Sequence, residues 1–194
     1  MRLLCLFILF TAQTILFAPG GDSLNPKQPD SISSKKREWE IVSNGLKELK
    51  IGDSPKKIYK AFAGLKIKHN KYNAYIIIDK LDTICVVWCD ETNVVGSIFT
   101  RSKRFFHAGD IRVGLRVDEV IRKRPGIVMS YNDLDDEESL KLYYERKNNM
   151  IAVDLLIQSD DGKMLGVYEN ENVVLTSTYR TTGFIYGIII QKVN

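Results

Sequence analysis

Ile111-Arg112-Val113-Gly114-Leu115-Arg116-Val117-Asp118-Glu119-Val120-Ile121-Arg122-Lys123-Arg124-Pro125-Gly126 is the stretch from which the rest of the chain can be read. An apolar-basic-apolar opening runs into Gly114, as a strand end or tight loop does. Val117, Val120 and Ile121 then recur at helical spacing and form one apolar stripe. Asp118 and Glu119 sit in the first turn and Arg122, Lys123 and Arg124 in the last, the order that complements a helix dipole. Pro125 and Gly126 stop the helix. The same frame occurs earlier, from Leu49-Lys50-Ile51-Gly52 to Gly64. There Ser54 is the expected N-cap and Pro55 the first helical residue, with Pro55, Ile58, Tyr59 and Phe62 as the stripe.

A β-rich segment follows each helix. After the first, Tyr72–Ile78, Thr83–Trp88 and Val94–Thr100 read as strands joined by short turns, hence an antiparallel meander. After the second, Leu140, Leu142 and Tyr144 alternate with Lys141, Tyr143 and Glu145. Ile151, Val153, Leu155 and Ile157 alternate with Ala152, Asp154, Leu156 and Gln158. The turn at Asn148-Asn149 joins these two runs. Further strands are expected at Met164–Tyr168, Val173–Tyr179 and Phe184–Ile190, the first entered through the turn Asp160-Asp161-Gly162-Lys163. The closing strands echo each other, Val94-Val95-Gly96-Ser97-Ile98 beside Ile185-Tyr186-Gly187-Ile188-Ile189. The reading is therefore α+β, with two tandem units, each a short helix packed on an antiparallel sheet. The units span 39–104 and 105–194, and Arg101–Arg104 is a basic link.

The N-terminal part differs in kind. Met1-Arg2 precedes an apolar run from Leu3 to Phe10, and small residues follow at Ala18 and Gly20, the layout of an export signal over 1–20. The leader over 21–38 is rich in Gly, Ser, Pro and Lys, a composition that cannot offset ordering entropy by burial. An extracytoplasmic location, periplasmic or secreted, follows from the signal. No stable membrane span is expected once the signal is cleaved, because the stretch falls short of ~20 apolar residues.

Of 194 residues, 44% are hydrophobic and 27% charged, an ordinary globular balance, and a formal charge of +4 gives no support to nucleic-acid binding. Beyond the signal, two cysteines remain, Cys85 and Cys89. On one strand they stand roughly 13 Å apart, whereas a disulfide needs Cα atoms within ~7 Å, so buried free thiols are expected. The two histidines, His69 and His107, lack any G-x-S-x-G, H-E-x-x-H or Cys/His surrounding and read as surface residues. No cofactor motif is present.

The glycine-helix-glycine frame at Ile51-Gly52 to Gly64 and Val113-Gly114 to Gly126, each followed by a meander, resembles the β-lactamase-inhibitor-protein fold. It is also similar to the single-unit outer-membrane lipoproteins of the SmpA/OmlA kind. The lipoproteins' acylated cysteine and the inhibitor's paired cysteines have no counterparts here. The resemblance implies a non-catalytic module that offers a sheet face to another macromolecule, a protein or an envelope component. Register would place Lys141, Tyr143 and Glu145, with Asp154 and Gln158, on a polar open face, the binding residues expected from the pattern. The competing expectation is a small secreted hydrolase or metal-dependent enzyme using the acidic loop Asp133-Leu134-Asp135-Asp136-Glu137-Glu138. Against it stands the lack of the turn glycine that a dedicated calcium loop carries. The basic groups Arg101–Arg104 and Arg122–Arg124 are a third candidate surface, for anionic polymer.

Overall fold

A computed structural model describes residues 39–193, apart from 47, 108–109, 133–135, 147–148 and 169–174 and the side chains of 143–149. The expected export signal and leader and the core of the acidic loop lie outside the described residues, as does Asn148 of the expected Asn148-Asn149 turn, whereas Asn149 already belongs to a strand and pairs with Arg146. The fold is α+β and mostly sheet, with short helices at Lys56–Ala61 (α1) and Val117–Lys123 (α2). Among the described residues, no helix is long and apolar enough to cross a membrane.

The first strand, Trp39–Val42 (β1), turns at Ser43-Asn44 into Gly45–Leu46 (β2) and Leu49–Lys50 (β3). Phe105–His107 (β8) lies parallel to β1, and Ile111–Arg112 (β9) completes a five-stranded sheet in the order β3-β2-β1-β8-β9. The second sheet has nine strands. Lys66–His69 (β4), Ala74–Asp79 (β5), Asp82–Cys89 (β6) and Val95–Thr100 (β7) form one meander. Val128–Asn132 (β10), Glu137–Arg146 (β11), Asn149–Ser159 (β12), Leu175–Thr176 (β13) and Gly183–Val193 (β14) follow α2. Their spatial order is β13-β10-β11-β12-β14-β7-β6-β5-β4.

The sheets therefore do not divide one per helix. The last strand of each meander pairs with the other, antiparallel, with Ile188 opposite Thr100 and Ile190 opposite Ile98. Burial drives that pairing: Ile98, Ile188 and Ile190 are fully buried in one core. Ile58 and Phe62 from α1, Val117 and Val120 from α2, and Ile41, Leu46 and Leu49 from the small sheet fill the same core. Each such buried aliphatic contributes about 1.5–3 kcal/mol. The helices and the small sheet thus cover one face of the nine-stranded sheet, here called inner.

Both glycine-helix-glycine segments form as expected. Gly52 and Gly114 sit at φ +89° and +92°, and each is tied to the start of a closing strand. Gly52 N donates to Val95 O at 2.7 Å and Val95 N to Asp53 O at 2.8 Å. Gly114 N donates to Ile185 O at 2.7 Å and Ile185 N to Leu115 O at 2.9 Å. A left-handed φ costs an ordinary residue roughly 1–2 kcal/mol, which is why glycine stands at both places. These bonds make Val95 the counterpart of Ile185 in the two segments, one residue off the echo read from sequence. Burial agrees: Val95, Ile98 and Thr100 match Ile185, Ile188 and Ile190.

Several expectations change. Ser54 makes no side-chain cap; Pro55 is the capping position, and Ser54 contributes only its carbonyl, to Lys57 N. Tyr59 leaves the stripe and is 54% exposed, its ring edge-on to Tyr75. β4, β8 and β10 are strands that the pattern did not mark, because each is short and depends on a neighbour for its hydrogen bonds. Conversely, Met164–Tyr168 is no strand, and the run expected at Val173–Tyr179 reduces to β13. Their described backbone serves the connection between β12 and β14, where Gly166 and Tyr179 form an isolated bridge and β13 pairs with β10.

Candidate binding face

Register carries side chains across the nine strands in rows. Ile76, Val86, Phe99, Ile189, Asp154 and Lys141 are successive cross-strand neighbours on the face away from the helices, the outer face. The next row runs Ala74, Trp88, Ser97, Gln191, Ala152 and Tyr143. The division expected for β11 and β12 holds: Leu140 and Leu142 pair with Leu155 and Val153 inside, and Lys141 pairs with Asp154 outside.

The character of that face differs from expectation. Its middle is apolar: Ile76, Val86, Phe99 and Ile189 are half-buried, and Trp88 is 38% exposed beside Phe99, ring centroids 6.5 Å apart. Nor is Asp154 open. It is only 3% exposed, with Lys141 Nζ at 3.2 Å and Gln191 Nε2 donating at 2.7 Å. Long side chains lying flat close the centre of the face, which also buries Ala152 and Leu156. The Phe99 ring lies so close over Gly187 that a Cβ there would meet it at 2.8 Å. Gln158 is exposed, opposite Phe184 at the far end of β12. The side chains of Tyr143 and Glu145 lie outside the described residues. Of the five expected binding residues, the structure brings Lys141 and Asp154 together and sets Gln158 apart.

Sequence reasoning passed over Trp88, Phe99 and Tyr186, and took Arg101 only with Arg104 as a basic group for anionic polymer. The alternation of Ser97, Phe99 and Arg101 against Ile98 and Thr100 is a legible signal for β7. In β14 the apolar run from Phe184 to Ile190 hides the face, because that central strand is buried on both sides. Arg101 sits over two rings, its guanidinium carbon 5.5 Å from the Phe99 centroid and 5.3 Å from that of Tyr186. The Tyr186 hydroxyl in turn donates to Glu137. Arg101 also lines a shallow depression of about 360 Å³, with Leu81, Asp82, Thr83, Ile84, Ser102 and Arg104 around it. Arg104 is already paired with Asp79.

The acidic segment is used internally at its described end. Glu138 is buried and accepts hydrogen bonds from Leu165 N at 2.6 Å, Gly166 N at 2.7 Å and the Tyr168 hydroxyl at 3.1 Å. Burial, and then the Glu138 charge, push the Tyr168 hydroxyl pKa up. Among the described residues, no group of His, Cys, Asp and Glu could hold a metal ion.

His107 is not a surface residue. It is 2% exposed, and Nδ1 lies 3.0 Å from Ile41 O. A carbonyl oxygen only accepts, so Nδ1 carries the proton. Burial lowers the His107 pKa. His69 is exposed as expected, but it stands on β4 and stacks on Tyr75 at 4.3 Å. Cys85 and Cys89 are free and buried, in line with the spacing argument. Burial raises both thiol pKa values, helped at Cys89 by Asp90, the opposite of what an activated nucleophile needs. The two basic groups are spent differently: Arg122 pairs with Asp118 along α2, whereas Arg101 rests on the aromatic rings of the outer face.

No protein-family model and no curated protein matches this chain. Among solved structures it is similar to the uncharacterized protein yfeY from Escherichia coli. That match has 12% identity and a TM-score of 0.49, covering 79% of this chain and 99% of that one. It is also similar to an extracellular protein containing a SCP domain from Bacillus anthracis str. Ames, at 13% identity and a TM-score of 0.35. There 90% of this chain is covered, but only 50% of the other, so this chain spans about half that protein's length. Likenesses at this level assign neither a family nor a function.

Proposed function

We propose that this protein is an exported, non-enzymatic binding module that engages another protein through the outer face of its nine-stranded sheet. One observation carries the reading: a row of half-buried apolar side chains, Ile76, Val86, Phe99 and Ile189, crosses four adjacent strands with Trp88 beside it. A contiguous apolar patch bordered by polar residues is the mark of a contact surface.

The same reading takes the chain as two tandem helix-plus-meander units of the inhibitor-protein kind, joined through β7 and β14. The matched bonds at Gly52 and Gly114 support it, as do the equal burial of Ile58 and Val120. Joining two meanders by their closing strands produces a face wide enough for a protein partner. The export signal places that encounter outside the cytoplasm.

The test is site-specific photocross-linking in the native host. A benzoylphenylalanine at Val86, at the middle of the face, should yield a discrete adduct with one protein. The same group at Lys60, exposed on α1, should not. Equal labelling from both positions, or none from Val86, overturns the reading.

A further inference from the structure

We propose, resting on the binding-face reading, that the partner presents an acidic, apolar polypeptide segment and that Arg101 receives one of its carboxylates. The charge on the face points this way. Lys66 and Lys68 are paired by register with Ile78 and Ile76 on the outer side of β4, and Arg101 closes β7 on that side. Among the described residues none of these three has a carboxylate partner, whereas Asp154 and Glu137 on the same face are engaged. Asp154 is buried under Lys141 and Gln191, and Glu137 accepts from Tyr186. An apolar row bordered by unspent cations selects a partner with carboxylates at its rim.

Arg101 is suited to the contact. Its guanidinium carbon lies 5.5 Å from the Phe99 centroid and 5.3 Å from that of Tyr186, so two rings position the group while its N–H donors take no carboxylate among the described residues. The depression it lines with Thr83, Ser102 and Arg104 leaves room for a side chain to enter, and two arginines stand there against the single carboxylate of Asp82. A fork pre-oriented in this way loses little freedom when it binds, so it contributes more than a solvated lysine would.

The test uses the full chain and two fluorescein-labelled synthetic peptides, one alternating Glu and Leu, the other Lys and Leu. Anisotropy should show saturable, salt-weakened binding of the Glu–Leu peptide and none of the Lys–Leu peptide. Arg101→Gln should weaken the Glu–Leu peptide about tenfold, one ion pair's worth of about 1.4 kcal/mol, and Arg101→Lys should restore only part of that. Arg122→Gln, on α2, should change nothing. Equal binding of both peptides, or an Arg101→Gln protein that binds like the parent, overturns the proposal. So does binding only to phosphatidylglycerol vesicles, which would make the patch a lipid surface. A Val86 adduct that survives Arg101→Gln at full yield removes Arg101 alone. Absence of any Val86 adduct removes the face itself.

Discussion

Glu138→Ala removes the acceptor that holds the excursion between β12 and β14 against the sheet. Two backbone N–H groups and one hydroxyl lose their partner, at 2.6, 2.7 and 3.1 Å. Leu165 is fully buried, so its stranded N–H costs about 1–3 kcal/mol, and each lost bond to a charged acceptor a further 1.5–3 kcal/mol or so. If the segment stayed in place the sum would exceed about 4 kcal/mol. Release is cheaper, because it forfeits mainly the burial of Leu165, roughly 1.5–3 kcal/mol, and returns chain entropy. The expected outcome is therefore a global loss of about 2–3 kcal/mol in urea unfolding, together with local opening. Hydrogen exchange should show the Leu165 and Gly166 amides losing protection while Val153 and Leu155 in β12 keep theirs. Glu138→Gln retains one acceptor oxygen and turns an amino group toward the other N–H, so it should fall between. A loss below about 0.5 kcal/mol with the Leu165 amide still protected would refute the reasoning. It would also return Glu138 to the candidates for ligand chemistry.

Lys141→Met strips the cation from the nearly buried Asp154 and should cost about 3 kcal/mol. Lys141→Met with Asp154→Asn should recover most of that, and a double-mutant cycle that shows no coupling would contradict the burial argument. The lowered pKa of buried His107 means that the unfolded chain binds a proton the folded one refuses. Its stability contribution is complete above the unfolded value of about 6.5 and is lost as pH falls below that toward the folded value. Thermal melts from pH 8 to pH 5 should flatten in His107→Gln, and an unchanged slope would reject the assignment.

Local patterns carried much of this protein. The helix stripes ended where Gly64 and Gly126 stand, since a left-handed terminus is a property of a few consecutive residues. The strict alternation of β11 and β12 put Lys141 and Asp154 on one face, because a one-residue slip would turn Leu140 and Val153 outward. The wide spacing of Cys85 and Cys89 was enough to leave them unpaired. Where alternation failed, so did the reading. β14 is apolar on both faces and hid the side that carries Tyr186 and Ile189. β4 offers a single apolar residue among lysines, and only its pairing with β5 makes it a strand.

The sequence by itself determined the α+β composition, the two glycine-bounded helices and the alternating faces of the hairpins, all governed by contacts within a few residues. Tertiary structure alone decided that β7 and β14 meet to join the meanders into one sheet, and that Asp154 and His107 are buried. It also decided that Phe99, Arg101 and Tyr186 converge on an outward face. Those outcomes depend on partners up to 94 positions away, as where Gln191 pairs with Ser97. Burial is a property of what packs around a residue, so no local pattern encodes it.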